Sequence, residues 1–270
     1  MPFSIEGFLE TEGTIAEQQK ARYGDLFELA YSFSRVGMQL TERLQAARRN
    51  RELVGATLLA RSVAHFQAIV MLVERGLPVE AMVLTRSLME TSFVICALAK
   101  NTVTTEELAQ HDLASRGKLA SALTRVPSAA LDEHHAGLKS FVKDLDGAKA
   151  ILVENMASRA GLLDLYNSFY RYLSHIASHP SITASDLYFI EGNGSDRVSF
   201  RCVPEDTPIA LILTFLTMLI TFGSHEELAG TTPELSAAIS ELGEQYQLLE
   251  RRYSVWDRSG GIRPSATARS

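Results

Sequence analysis

The tripeptide Gly76-Leu77-Pro78 does most to limit what this chain can fold into. On either side run long stretches whose apolar residues recur at helical spacing, over residues 51–74 and 78–100. A glycine just past a helix end takes the left-handed conformation that closes it at little cost. A proline is tolerated in the first turn of the next helix, where its missing N–H would have had no partner. Residues 51–100 therefore read as an antiparallel helical hairpin with a tight turn. Both members are apolar on more than one side, which places them at the centre of a bundle.

The rest of the chain repeats the helical pattern. Leu26, Leu29, Phe33, Val36, Leu40 and Leu44 share one face of a helix over about 21–49. Thr104 and Thr105 ahead of Glu106 and Glu107 predict a helix over 105–124. Further helices are expected over 127–150, over 158–178 with Pro180 as its stop, from Pro208 to Phe222, and from Pro233 to about Tyr253. The pattern changes over 186–204, where two β-like runs flank Gly192-Asn193-Gly194 and predict an inserted β-hairpin. A hairpin alone is marginal, so it should pack on the bundle or on a second subunit. The expected fold is thus all-α: a multi-helix bundle built around the long hairpin, as one domain over 1–256. The small, polar tail, 257–270, is expected to be disordered.

The chain has 270 residues, of which 46% are hydrophobic, enough for a full core. Its formal charge of −6 argues against a generic nucleic-acid-coating surface. The N-terminus lacks the basic and apolar regions of a signal peptide. The run from Pro208 to Phe222 falls short of the ~20 residues that span a bilayer. These features predict a soluble, cytoplasmic chain with no membrane partner. Cys96 and Cys202 form no Cys-x-x-Cys pair and read as buried thiols. Serine-hydrolase, P-loop and Rossmann motifs are missing, so no cofactor is implied.

Two constellations could carry chemistry. In the hairpin, Arg61 and His65 are four apart, as are Arg86 and Glu90, so each pair shares a helix face. Counted from Gly76, His65 and Arg86 lie at nearly equal heights, and so do Arg61 and Glu90. The count predicts Arg61 against Glu90 and His65 beside Arg86. Charged groups in apolar surroundings need such pairing. The cluster is either a structural ion pair that fixes register or, joined by Ser174 and His179, a polar pocket for a small polar or anionic ligand. The pocket would be concave and would sit where the hairpin meets the 158–178 helix. The second constellation is Arg171, Ser174, His175, Ser178 and His179. His175 and His179 can converge on one helical face, but a metal site would need a third ligand, and only Glu90 offers itself. No metal site is therefore assigned.

Ala60-Arg61-Ser62, Arg86-Ser87-Leu88-Met89-Glu90, Tyr172-Leu173-Ser174 and His179-Pro180-Ser181 together resemble a bacterial family of helical proteins of unknown function. The likeness covers about 53–181 and implies a helical domain without an assigned activity. A more distant similarity is to the HEPN superfamily of helical bundles, many of them metal-independent ribonucleases. Their motif pairs an Arg with a His on a late helix; here Arg171 stands closer to His175, and further from His179, than that motif has it. This likeness implies a toxin-like or RNA-cleaving homodimer. His175 or His179 would act as general base or acid, and Arg171 would stabilise phosphate charge. The leading expectation is an interaction, regulatory or ligand-binding module, with homodimerisation expected from the inserted β-hairpin and the abundant apolar helix surface. Whether the chain is an enzyme is not settled by its sequence.

Overall fold

The computed structural model describes residues 14–42, 50–127, 132–145, 147–180, 182–186, 188–190, 197–198 and 204–253. The expected disordered tail, the N-terminal segment and residues 43–49 lie outside the described residues. In chain order the helices are α1 (Thr14–Glu42), α2 (Asn50–Glu74), α3 (Pro78–Ala99), α4 (Thr105–Leu123), α5 (His135–Asp144) and α6 (Val153–Ala160). They continue with α7 (163–178), α8 (Ile182–Asp186), α9 (Thr207–Ala229) and α10 (Pro233–Tyr253). The fold is all-α, as the sequence predicts.

The hairpin turn forms as its residues require. Gly76 takes φ 76°. Its N–H donates to Val73 O at 3.0 Å, and the Leu77 N–H donates to Leu72 O at 2.9 Å. These two bonds are the Schellman closure of a helix end, and Pro78 then opens α3. Thr104 caps α4 through a full capping box with Glu107. The predicted 158–178 helix, however, is two elements. Gly161 takes φ 72°, its N–H donates to Ser158 O at 2.9 Å, and the Leu162 N–H donates to Ala157 O at 2.8 Å. This second Schellman closure ends α6 before α7 begins. Of the helix expected over 127–150, the described part includes α5, His135–Asp144, and residues 128–131 lie outside the described residues.

The core is centred on α3 and α9. Phe33 of α1, Phe66 of α2, and Phe215 and Phe222 of α9 are fully buried. Phe33 stacks on Phe215 with ring centroids 4.9 Å apart and planes 6° from parallel. Three buried hydroxyls in α9 are satisfied within the helix. Thr214, Thr217 and Thr221 each donate to the carbonyl four residues back. Thr214 also meets Thr85 of α3 across the core, oxygen to oxygen at 2.9 Å. Each hydroxyl keeps its own carbonyl when the other is removed, because Thr85 also donates to Ala81 O at 3.0 Å. Thr214→Val alone is expected to cost about 1 kcal/mol in urea unfolding, and Thr85→Val with Thr214→Val less than twice that, since the shared contact is lost only once.

Two expectations need correction. The inserted hairpin over 186–204 is not supported. Among the described residues, strand geometry is confined to two pairs, Phe189 with Val198 and Ile190 with Arg197. With Val198 87% exposed, so short a ladder buries too little apolar surface to stand as a hairpin. The purely cytoplasmic reading is overturned as well. α2, α3 and α9 are each long and apolar enough to cross a membrane, with mean hydropathies of 1.5, 1.4 and 1.8. The apolar run ending at Phe222 is only part of α9, which continues to Ala229 and is 23 residues long. The bundle buries these helices unequally: 78% of the apolar window of α9, 67% of that of α3 and 44% of that of α2.

Candidate functional site

The site begins with the anchoring of α6. Its terminal carbonyls point at the end of α3, where Lys100 Nζ donates to Ala160 O at 2.6 Å and Cys96 Sγ to the same oxygen at 3.3 Å. Thr102 Oγ1 donates to Arg159 O at 2.8 Å. A lysine at a helix C-terminus also meets the negative end of the helix dipole. The Arg159 side chain in turn pairs with Glu107 of α4 at 2.7 Å. With its start fixed in this way, α7 is laid against α3.

α7 is not a regular α-helix. Tyr166–Tyr170 and Ser174–Ser178 are π-helical turns separated by the α-helical residues Arg171–Leu173. Such widened turns are uncommon and recur at functional sites. Between them they present Tyr170 and Ser174 to α3. The Arg86 Nε–H donates to Ser174 Oγ at 2.8 Å, and Arg86 Nη2 donates to the Tyr170 hydroxyl at 2.6 Å. That hydroxyl donates onward to Glu90 Oε1 at 2.7 Å. Arg86 Nη2 also lies 3.2 Å from the same carboxylate oxygen. Ser174 Oγ donates to Tyr170 O at 2.8 Å. The guanidinium carbon sits 4.7 Å from the centre of the Tyr170 ring, a cation–π contact. Tyr166 stacks on the other aromatic neighbour position, its ring 4.9 Å from that of Tyr170.

One edge of the guanidinium, Nε and Nη2, is thereby engaged by the protein. Among the described residues nothing takes Nη1 or the second oxygen of Glu90. The two side chains are 26% and 36% exposed. One ion pair therefore keeps an unpartnered donor and an unpartnered acceptor at a partly exposed position, held by Tyr170 and Ser174.

The frame also shifts Tyr170. Burial, then the hydrogen bond to Glu90, push its phenol well above the ordinary value of 10.0. Because the folded value is raised, the contribution is complete below pH 10 and is lost as pH rises above it. Unfolding free energy is expected to fall more steeply above pH 10 in the parent chain than in Tyr170→Phe, measured by urea titration across that range.

Of the predicted residues, Arg86, Glu90 and Ser174 come together, and the Arg86–Glu90 pair forms along α3. Arg61 and His65 do not join them. Arg61 is exposed. His65 sits near it, and its imidazole value is lowered by burial and then by the Arg61 charge. Equal height along two helices does not fix rotation about their axes, and Arg86 and Glu90 turn towards α7, away from α2. Arg171, His175 and His179 are all exposed. α7 stops at Ser178, and His179 has extended backbone, φ −108° and ψ 139°. The helical stripe that would align His179 with His175 therefore ends before His179. Among the described residues no three His, Cys, Asp or Glu side chains are placed to hold a metal. Tyr170 was missed, although the Tyr166/Tyr170 spacing of four marked a shared face.

A groove of about 580 Å³ lies between α1 and α10, lined by residues such as Asp25, Tyr31, Arg35 and Leu248. None of the predicted site residues lines it.

The class defined by this geometry is an all-α bundle in which an arginine–tyrosine–glutamate cluster joins a central helix to a π-turn helix. The chain belongs to DUF5677, a family of unknown function, which matches residues 52–196 and so includes Arg86, Glu90, Tyr170 and Ser174. No curated protein and no solved structure matches the chain.

Proposed function

We propose that the chain is a small-ligand-binding module whose site is the outer edge of the Arg86–Glu90 pair. The observation that carries this reading is the division of labour in the guanidinium. Nε and Nη2 are held by Ser174, Tyr170 and Glu90, while Nη1 and the second oxygen of the same Glu90 carboxylate have no partner among the described residues. A donor next to an acceptor complements a ligand with the reverse pair, as in a carboxamide or the carboxylate and ammonium of a free amino acid. Because the frame pre-orients both groups, binding requires little further ordering of either side chain.

Differential scanning fluorimetry against carboxamides and amino acids tests this. A ligand that binds only the folded chain raises its melting temperature by mass action. Glu90→Gln is the informative variant. It keeps an acceptor for Tyr170 and places an amide N–H₂ where the ligand expects an oxygen. The expected result is a ligand-dependent rise in the parent chain that Glu90→Gln abolishes while its own unliganded stability stays close to that of the parent. A panel without any shift, or a shift that Glu90→Gln retains, contradicts the reading.

The ribonuclease alternative has no comparable observation behind it. The formal charge of −6 does not favour a nucleic-acid surface, and the helical stripe of Arg171 and His175 does not continue to His179.

A further inference from the structure

α2 presents more apolar surface to the outside than its neighbours do. It is as apolar as α3, yet the bundle buries a much smaller share of its window. The exposed residues fall in one stripe. Leu53, Ala60, Ala64 and Met71 recur at helical spacing, and Leu53 and Met71 are 53% and 61% exposed. Arg61 and Arg75 are exposed on the same stripe, and among the described residues neither has a carboxylate partner. The two acids of α2 lie off it. Glu52 and Glu74 are both partly covered, and Glu74 is held by Lys20 at 3.2 Å and by the Tyr31 hydroxyl.

From this we infer that the α2 stripe docks the protein onto an anionic phospholipid surface, lying on it and not crossing it. The charge pattern selects the occupant. A helix face on which exposed apolar residues alternate with arginines suits the boundary between acyl chains and anionic headgroups. Leu53 and Met71 enter the apolar layer, while Arg61 and Arg75 extend along their stems to the phosphates. A second copy of the chain fits less well, because two such stripes face to face would oppose four arginines with no acid between them. The inference is independent of the Arg86–Glu90 site, which faces α7.

Co-sedimentation of the full chain with vesicles separates the outcomes. Vesicles of phosphatidylserine in phosphatidylcholine are expected to carry the chain down, those of phosphatidylcholine alone far less, and added salt should weaken the binding. Arg61→Gln with Arg75→Gln removes two surface cations and should weaken binding about 30-fold. Leu53→Glu with Met71→Glu should abolish it. Both pairs change exposed side chains, so their circular dichroism and unfolding curves should match the parent. The inference is overturned if the parent does not sediment, if it binds both vesicle types equally, or if either pair leaves binding unchanged. It is also overturned if light scattering shows a dimer that only the Leu53/Met71 pair dissociates, which would assign the stripe to a second copy.

Discussion

Phe33→Ala is expected to destabilise the bundle by about 3–5 kcal/mol, the largest effect of any single substitution argued here. The ring is fully buried and touches the aromatic side chains of two other helices. It stacks on Phe215 at 4.9 Å and lies 5.8 Å from Phe66 and 6.1 Å from Phe222. Truncation removes the transfer free energy of the ring and leaves a cavity where α1, α2 and α9 converge. Those helices are pinned by other buried residues and can close the gap only in part. Phe33→Leu keeps most of the volume and should cost clearly less. Urea unfolding of the three proteins measures both differences. Equal stability of Phe33→Ala and the parent would mean that α1 is not packed on α9 as described.

The second large effect is at Arg86. Arg86→Met keeps the aliphatic stem but removes the donors to Ser174 and Tyr170 and the charge beside Glu90. Glu90 is left with only the Tyr170 hydroxyl among its described partners, and Ser174 loses its donor. Hydrogen bonds to charged groups contribute about 1.5–3 kcal/mol, and the partial exposure of this pair lets water compensate some of the loss. The expected cost is about 2–3 kcal/mol, read from urea unfolding. Arg171→Ala, on the outer side of α7, should stay within about 0.5 kcal/mol of the parent. A contrast between two arginines of such different consequence is what the geometry requires. Similar costs for both would remove the distinction.

How much of this could be read beforehand depends on the range of the signal. Gly76 and Pro78 encode the hairpin turn through backbone preferences that act within a few residues, and Thr104 encodes its cap in the same way. The Arg86/Glu90 pair was equally legible, since a spacing of four places both on one face whatever surrounds the helix. Gly161 carried a readable stop signal that the continuous apolar pattern on either side of it concealed. The partners of Arg86 were out of reach of such reasoning. Residue counting from the turn fixes height but not rotation, so Arg61 was set against Glu90 although it belongs to the exposed stripe of α2. No local pattern distinguishes a π-turn from an α-turn, and the two in α7 decide which of its side chains face α3. The β-like runs around residues 189 and 198 show the reverse failure. Their residue types favour strands, but β-propensity reflects packing on a half-buried surface, and here Phe189 and Val198 remain exposed.

Arg86 and Tyr170 act as one unit that joins α3 to α7. A double-mutant cycle of Arg86→Met and Tyr170→Phe, followed by urea unfolding, measures that coupling. Side chains in one hydrogen-bonded network are expected to show an interaction energy of about 1–3 kcal/mol. Costs that simply add, to within about 0.5 kcal/mol, would show that the two side chains do not meet and that no pre-oriented Arg86–Glu90 edge exists.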